Sequence, residues 1–279
     1  MVKLKTPLRY PGGKSRVAVR LSEQIPNNIT EYRDPFMGGG SMALQVSTKY
    51  PEIPIWVNDK YWQLYNFWGQ LQSYGEELSD TLNEYKLKYP NPEKAQKLFK
   101  DCKENISEQD DFTSAVYFWI LNKCSYSGLT ENSSFSPQAS DNNFTLRGIE
   151  NLKEYQKLIQ HWKITNEDYS VLLEAKGSKD SFIFLDPPYD IKDFLYGKKG
   201  GMHKGFDHKK FAQDCDRCVH NWMITYNIND NIKTLFEDYH QEEFGITYGM
   251  QHRADNTRKK ELLITNYDPI PTAVEELFV

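Results

Sequence analysis

The stretch Phe182-Ile183-Phe184-Leu185-Asp186-Pro187-Pro188-Tyr189 joins four consecutive apolar residues to an abrupt stop. An apolar run without alternation suits a strand covered on both faces. Two prolines cannot continue it, so Asp186 and Tyr189 are presented rigidly where the strand ends. Asp186 and the Pro187 carbonyl are both acceptors, able to take two N–H bonds from one amino group, while Tyr189 can stack on the ring that bears it. The plainer alternative is a surface turn with an incidental tyrosine. Four apolar residues directly before it argue against that.

Outward from this run, other strand-like segments occur at 32–36, 53–57, 222–226, 243–247 and 261–266. Helical stretches at 41–49, 209–219 and 230–238 alternate with them, which predicts βαβ units and an α/β fold. The middle differs. Residues 62–160 are mostly helical in pattern, broken at Tyr89-Pro90-Asn91-Pro92 and by a polar loop over 125–145. The expected organisation is a sheet domain made of 1–61 and 161–279, with an inserted helical domain at 62–160.

A second motif, Asp34-Pro35-Phe36-Met37-Gly38-Gly39-Gly40-Ser41, ends a strand in a Gly-rich turn that opens a helix. Glycine lets backbone N–H groups approach a ligand closely, so a nucleotide-like molecule can sit there. A plain strand-to-helix turn is the alternative. The next strand ends in Asn58-Asp59, where a carboxylate accepts from ribose hydroxyls or caps the helix beginning near Lys60. A third, Tyr10-Pro11-Gly12-Gly13-Lys14-Ser15, lacks phosphate-loop spacing because Leu8 stands where a glycine is needed. That excludes an NTPase reading and leaves a flexible turn able to cover a small ligand.

Together these pieces resemble the α-group, Dam-like DNA adenine-N6 methyltransferases of the D12 class. The matching stretches in chain order are Tyr10 to Lys14, Asp34 to Ser41, Asp59, the helical 62–160 and Asp186 to Tyr189. Phe206-Asp207-His208, Ile224-Thr225-Tyr226-Asn227 and the run from Lys260 to Asn266 look like further family features. The resemblance implies a Rossmann-like S-adenosylmethionine-dependent sheet with helices on both faces and a helical DNA target-recognition insertion. It implies cofactor contacts at Tyr10, Gly12, Gly13, Lys14, Asp34, Pro35, Phe36, Gly38, Gly40, Asp59 and Asp186. Asp186, Pro187, Pro188 and Tyr189 would hold an adenine flipped from double-stranded DNA, with S-adenosyl-L-homocysteine as product and no metal. DNA contacts are expected from Arg9, Asn122, Ser125, Tyr126, Gly128, Glu131, Arg147, Lys198 and Lys199. Members that read GATC carry Arg two residues after the equivalent of Leu129. Glu131 stands there instead, so a different or relaxed site is expected, with Glu131 accepting from a cytosine amine. Cytosine-N4 methylation and a catalytically silent DNA-binding module are the rival readings. Methylation of a protein glutamine fits less well, since that chemistry is associated with Asn in place of Asp186.

Composition narrows the setting. The 279 residues carry 34 Lys and Arg against 39 Asp and Glu, a net charge of -5, which argues against a protein that simply coats nucleic acid. Basic residues cluster locally: six and no acid in 1–20, six Lys against two Asp in 192–210, and Arg253, Arg258, Lys259 and Lys260. A mean hydropathy of -0.71 and short apolar runs exclude an α-helical membrane span. Four cysteines are too few for a disulfide scaffold, which makes a reduced cytoplasmic setting, in a prokaryotic or phage-infected cell, the expectation. Cys215 and Cys218 read as thiols rather than zinc ligands, and His203, His208 and His252 as surface or capping residues. A cognate restriction endonuclease is a possible partner.

Overall fold

The computed structural model describes residues 5–178, 180–189, 205–246 and 259–269. Their strands are β1 (Glu31–Asp34), β2 (Ile55–Asn58), β3 (Trp162–Thr165), β4 (Ser181–Leu185), β5 (Asn221–Asn227), β6 (His240–Ile246) and β7 (Lys259–Thr265). They form one sheet in the order β3-β2-β1-β4-β5-β7-β6. The first five are parallel, and β7 runs antiparallel between β5 and β6. Because β2 and β5 lie on opposite sides of the β1–β4 pair, the strand order reverses there. In open α/β sheets, ligands bind beyond the carboxyl ends of the strands at such a point.

Helices α1 (Ala18–Glu23) and α2 (Ser41–Lys49) flank β1. Between β2 and β3 run α3 (Trp62–Lys88), α4 (Pro92–Asn105), α5 (Asp111–Cys124), α6 (Pro137–Asn143), α7 (Leu146–Glu150) and α8 (Leu152–Ile159). The later strands are joined by α9 (Ser170–Glu174), α10 (His208–Arg217) and α11 (Asp230–Leu235). Among the described residues no helix is long and apolar enough to cross a membrane.

All five residues of β4 are buried, and the reason is visible in where they point. Phe182 and Phe184 join one core with Leu21, Val46 and Trp68, while Ile183 and Leu185 join a second with Leu173, Phe211 and Ile232. Successive strand residues face opposite sides, so a sheet covered by helices on both faces demands an unbroken apolar strand. Arg33 of β1 is also fully buried. Its guanidinium pairs with Glu31 at 2.9 Å and donates to the Leu172 and Ala175 carbonyls at 2.8 Å, which satisfies a charge that would otherwise be costly to bury.

The breaks between helices follow local chemistry. Asn91 caps α4 by accepting from Lys94 N with Pro92 in the first turn, and Asp110 caps α5 by accepting from Thr113 N. Two elements differ from the sequence expectation. β3 is an edge strand of four residues with only Trp162 buried, too short and polar for the apolar-run signal. The span expected as a polar loop contains α6, which Ser136 caps by accepting from Ala139 N, with Pro137 in its first turn.

Candidate active site

β4 delivers Asp186 into a cavity of ≈ 1710 Å³ that is also lined by the Gly-rich turn and the N-terminal segment. Lys14 Nζ lies 2.7 Å from each Asp186 oxygen, donates to the Tyr189 hydroxyl at 2.9 Å and reaches the Gly12 carbonyl at 3.0 Å. Thr225 of β5 donates to Asp186 Oδ1 at 2.8 Å. The lysine is buried, so an ammonium and a carboxylate 172 residues apart in the chain form a tight pair with Tyr189 beside it. Gly12 makes the turn possible with φ +73°. The resemblance implied a cofactor contact for Lys14, and the structure places it as the residue that orients Asp186.

Glu261 of β7 was quoted within a family-like run but not read as a site residue. Its carboxylate is buried, with Oε2 3.7 Å from the same Lys14 ammonium. Burial pushes its pKa up to about 7, although Lys14 pulls it down. An acid directly before the apolar run Leu262-Leu263-Ile264 of a strand is the signal that marks it.

The Gly-rich turn owes its shape to its neighbours. Gly38 and Gly40 have φ +52° and +70°. A Cβ on Gly38 would stand 2.9 Å from the Tyr10 ring, and one on Gly40 only 2.6 Å from the Trp68 ring. Asp59 accepts from Gly38 N and from Tyr61 N, both at 2.9 Å. It therefore ties the turn to the start of α3, in keeping with the capping alternative for this residue. Burial pushes the Asp59 pKa up to about 6 against the pull of those two N–H groups. Asp34 is buried with Oδ1 lacking a hydrogen-bond partner. Burial, and then the charge of Asp186, hold its carboxyl well above the usual carboxylate range.

Aromatic side chains complete the walls. Phe36 stacks on Tyr169 at 5.5 Å and meets Phe206 edge-on at 5.8 Å. Trp62 stands at the cavity with 41% of its surface exposed. Tyr169 and Trp62 were not anticipated as cavity residues, since the first follows the inconspicuous β3 and the second is the first residue of the long helix α3. The volume exceeds the 300–1,000 Å³ usual for one small ligand, leaving room for two planar groups. S-adenosylmethionine fits this lining: the orphan Asp34 oxygen suits an ammonium group, Asp59 suits hydroxyls, and Tyr10, Phe36 and Tyr169 suit an adenine ring. Among the described residues no group of three or more His, Cys, Asp or Glu is set to hold a metal ion.

The residues expected to meet DNA separate into two groups. Asn122, Ser125 and Gly128 are buried, and they organise their own loop. Asn122 bonds to the Arg9 backbone and to the Gly128 carbonyl, Ser125 Oγ accepts from Thr130 N, and a Cβ on Gly128 would stand 2.3 Å from the Arg9 carbonyl. Their polar atoms are paired inside the protein, where they support the loop. Arg9 Nη1 donates to the Ser125 carbonyl at 2.7 Å. Tyr126 is 59% exposed, and Ser127 and Thr130 take φ of +53° and +51°, uncommon for non-glycine residues and frequent at functional sites. Glu131 faces the cavity. Its Oε1 accepts from the Tyr61 hydroxyl and its Oε2 is buried without a hydrogen bond. Arg147 is exposed on α7. Lys198, Lys199, His203, His252, Arg253 and Arg258 lie outside the described residues. Cys215 is buried in the second core, and His208 begins α10 beside the Tyr226 hydroxyl.

A family model described as D12 class N6 adenine-specific DNA methyltransferase matches residues 10–253. Type II methyltransferase M.MjaIII of Methanocaldococcus jannaschii is 26% identical over 204 residues, covering 67% of this chain and 70% of its own. Type II methyltransferase M.CviBI of Paramecium bursaria Chlorella virus NC1A is 21% identical over 274 residues, covering 95% and 100%. Type II methyltransferase M1.LlaDCHI of Lactococcus lactis subsp. cremoris is 20% identical over 286 residues, covering 95% and 96%.

Proposed function

The chain belongs to the D12 class N6 adenine-specific DNA methyltransferases, and we propose that its cavity holds S-adenosylmethionine beside an adenine extruded from double-stranded DNA. Family membership makes it an enzyme that methylates adenine in DNA with S-adenosylmethionine as donor. When bound, the donor supplies an electrophilic methyl group on a sulfonium centre. Tyr10, Gly12, Gly13, Asp34 to Phe36, Gly38, Gly40 and Asp59 form its proposed seat. Asp186 and the Pro187 carbonyl would accept the two N6–H bonds, and Tyr189 would stack on the base.

The observation that carries this reading is the fixed Asp186. Lys14 and Thr225 hold its carboxylate in the lining of the cavity that the Gly-rich turn also lines. The adenine N6 lone pair is delocalised into the purine. Accepting its protons at two fixed points localises that pair and aims it, so the acceleration comes from positioning and electrostatics. N6 lies inside the duplex, so the base must leave the stack.

Contacts to DNA are proposed for Arg9, Tyr126, Glu131, Arg147, Lys198 and Lys199, with Asn122, Ser125 and Gly128 supporting the loop that carries Tyr126 and Glu131. The type II names of the relatives favour a companion endonuclease of the same specificity, acting in the cytoplasm. The test is methyl transfer from radiolabelled S-adenosylmethionine to unmethylated genomic DNA, followed by base analysis. N6-methyladenine is expected, with loss of transfer but persistence of cofactor binding in Asp186→Ala. N4-methylcytosine as product, or an Asp186→Ala enzyme at the wild-type rate, would overturn the site assignment. Uniform GATC modification would overturn the altered specificity expected from Glu131.

A further inference from the structure

We propose that Glu261, acting through Lys14, takes up the proton released when the adenine amine is methylated, so that Asp186, Lys14 and Glu261 form a proton relay. This rests on the active-site reading above. As the N–C bond forms, the S–CH3 bond breaks and its electron pair stays on sulfur, leaving N6 with a positive charge and one proton too many. Asp186 accepts that proton. Lys14 then gives one of its own to Glu261 Oε2 and takes the proton from Asp186. The carboxylate facing the base is ionised again, Lys14 is again an ammonium, and Glu261 carries the proton until product release opens the cavity to water.

The geometry supports this sequence. Lys14 touches both Asp186 oxygens at 2.7 Å and stands 3.7 Å from Glu261, an ion-pair separation that a small closure on ligand binding brings to hydrogen-bond length. Among the described residues, the groups that face Glu261 come from four elements. Lys14 comes from the N-terminal segment and Asp186 and Tyr189 from the end of β4. On the flanking strands, Asn227 of β5 and Phe244 of β6 stand at its register positions, and neither carries a charge. Its neighbour Lys260 is exposed and pairs with Glu243 at 3.5 Å.

Charge counting makes a purely structural role a poor fit. One ammonium is already matched by Asp186, so Glu261 is a second carboxylate on the same cation in a closed space. Burying a charge without its own counter-ion is expensive, and an apolar residue would fill this strand position at lower cost. A carboxyl whose pKa burial has raised to about 7 is instead poised to gain and lose a proton near neutrality.

Single-turnover methylation by the full chain, with saturating S-adenosylmethionine and unmethylated genomic DNA, tests the relay from about pH 5.5 to 9. The wild-type rate should rise with pH around a midpoint near 7 and then level. Glu261→Gln should lose this limb and run about a hundred-fold slower above pH 8, with unchanged cofactor affinity. Glu261→Asp should keep a limb at a displaced midpoint. Asp34 and Asp59, the other cavity carboxyls that burial raises, belong to the proposed cofactor seat, and saturating cofactor removes their titration from the rate. A wild-type rate flat between pH 6 and 8, or a limb unmoved in whichever variant folds, overturns the relay. Absence of methyl transfer by the wild type at every pH would instead sink the underlying site reading.

Discussion

Arg9 and Asn122, 113 residues apart, exchange a reciprocal pair of hydrogen bonds: Arg9 N donates to Asn122 Oδ1 at 2.9 Å, and Asn122 Nδ2 donates to the Arg9 carbonyl at 2.8 Å. A buried carboxamide thereby completes the backbone pairing of the N-terminal segment, which carries Lys14 to Asp186.

Replacing Asn122 by Ala should leave a donor and an acceptor of Arg9 unpaired in the interior. We expect a loss of about 2–3 kcal/mol in urea unfolding, together with weaker cofactor binding as the segment loosens. Asn122→Asp keeps the acceptor but buries a carboxylate oxygen against the Arg9 and Gly128 carbonyls, so its loss should exceed that of Asn122→Ala. Unfolding midpoints of the three proteins check the order.

Gly40→Ala should damage the cofactor seat more than the fold. The new methyl group would meet the Trp68 ring at 2.6 Å in a left-handed conformation, so the turn must shift. S-adenosylmethionine affinity by calorimetry should fall at least ten-fold. Unchanged affinity would dissociate this turn from the cofactor.

Asp59 and Glu261 have pKa values raised to about 6 and about 7 from ordinary values of 3.8 and 4.5. Between roughly pH 4 and 7 the folded chain therefore binds more protons than the unfolded one. Their contribution to stability is greatest below the unfolded values, declines as pH rises through this window and through the folded value of Glu261, and levels at about pH 8. The two together should amount to a few kcal/mol. Thermal melts of the ligand-free protein from pH 4.5 to 8 should show the decline, and Glu261→Gln should reduce its slope above pH 6.

DNA affinity should fall steeply with salt despite the net charge of -5. A footprint of about four phosphates predicts roughly a hundred-fold weaker binding between 50 and 200 mM salt. Fluorescence anisotropy at several salt concentrations gives the slope directly. An affinity insensitive to salt would rule out the basic footprint.

Much of the fold was legible because its determinants are local. The apolar β4 run states burial on both faces, Pro187 and Pro188 state where the strand ends, and the Gly38 to Gly40 triplet states a turn that side chains would obstruct. Residue types at fixed offsets also placed Asp34, Asp59 and Asp186 at strand ends, where all three line one cavity. β3 and α6 escaped notice because an edge strand with one buried residue and a helix rich in Ser and Asn carry little periodic signal.

By itself, then, the sequence determined the strands, the Gly-rich turn and the presentation of Asp186, since backbone conformation and apolar patterning act over a few residues. Only the tertiary structure decided what Lys14, Glu261 and Asn122 do. Lys14 and Glu261 converge on Asp186 from opposite ends of the chain, and Asn122 turns inward to hold Arg9. Burial and pairing between residues more than a hundred positions apart arise only when the sheet assembles, and they make Asn122 a clasp on the N-terminal segment and Lys14 the ion-pair partner of Asp186.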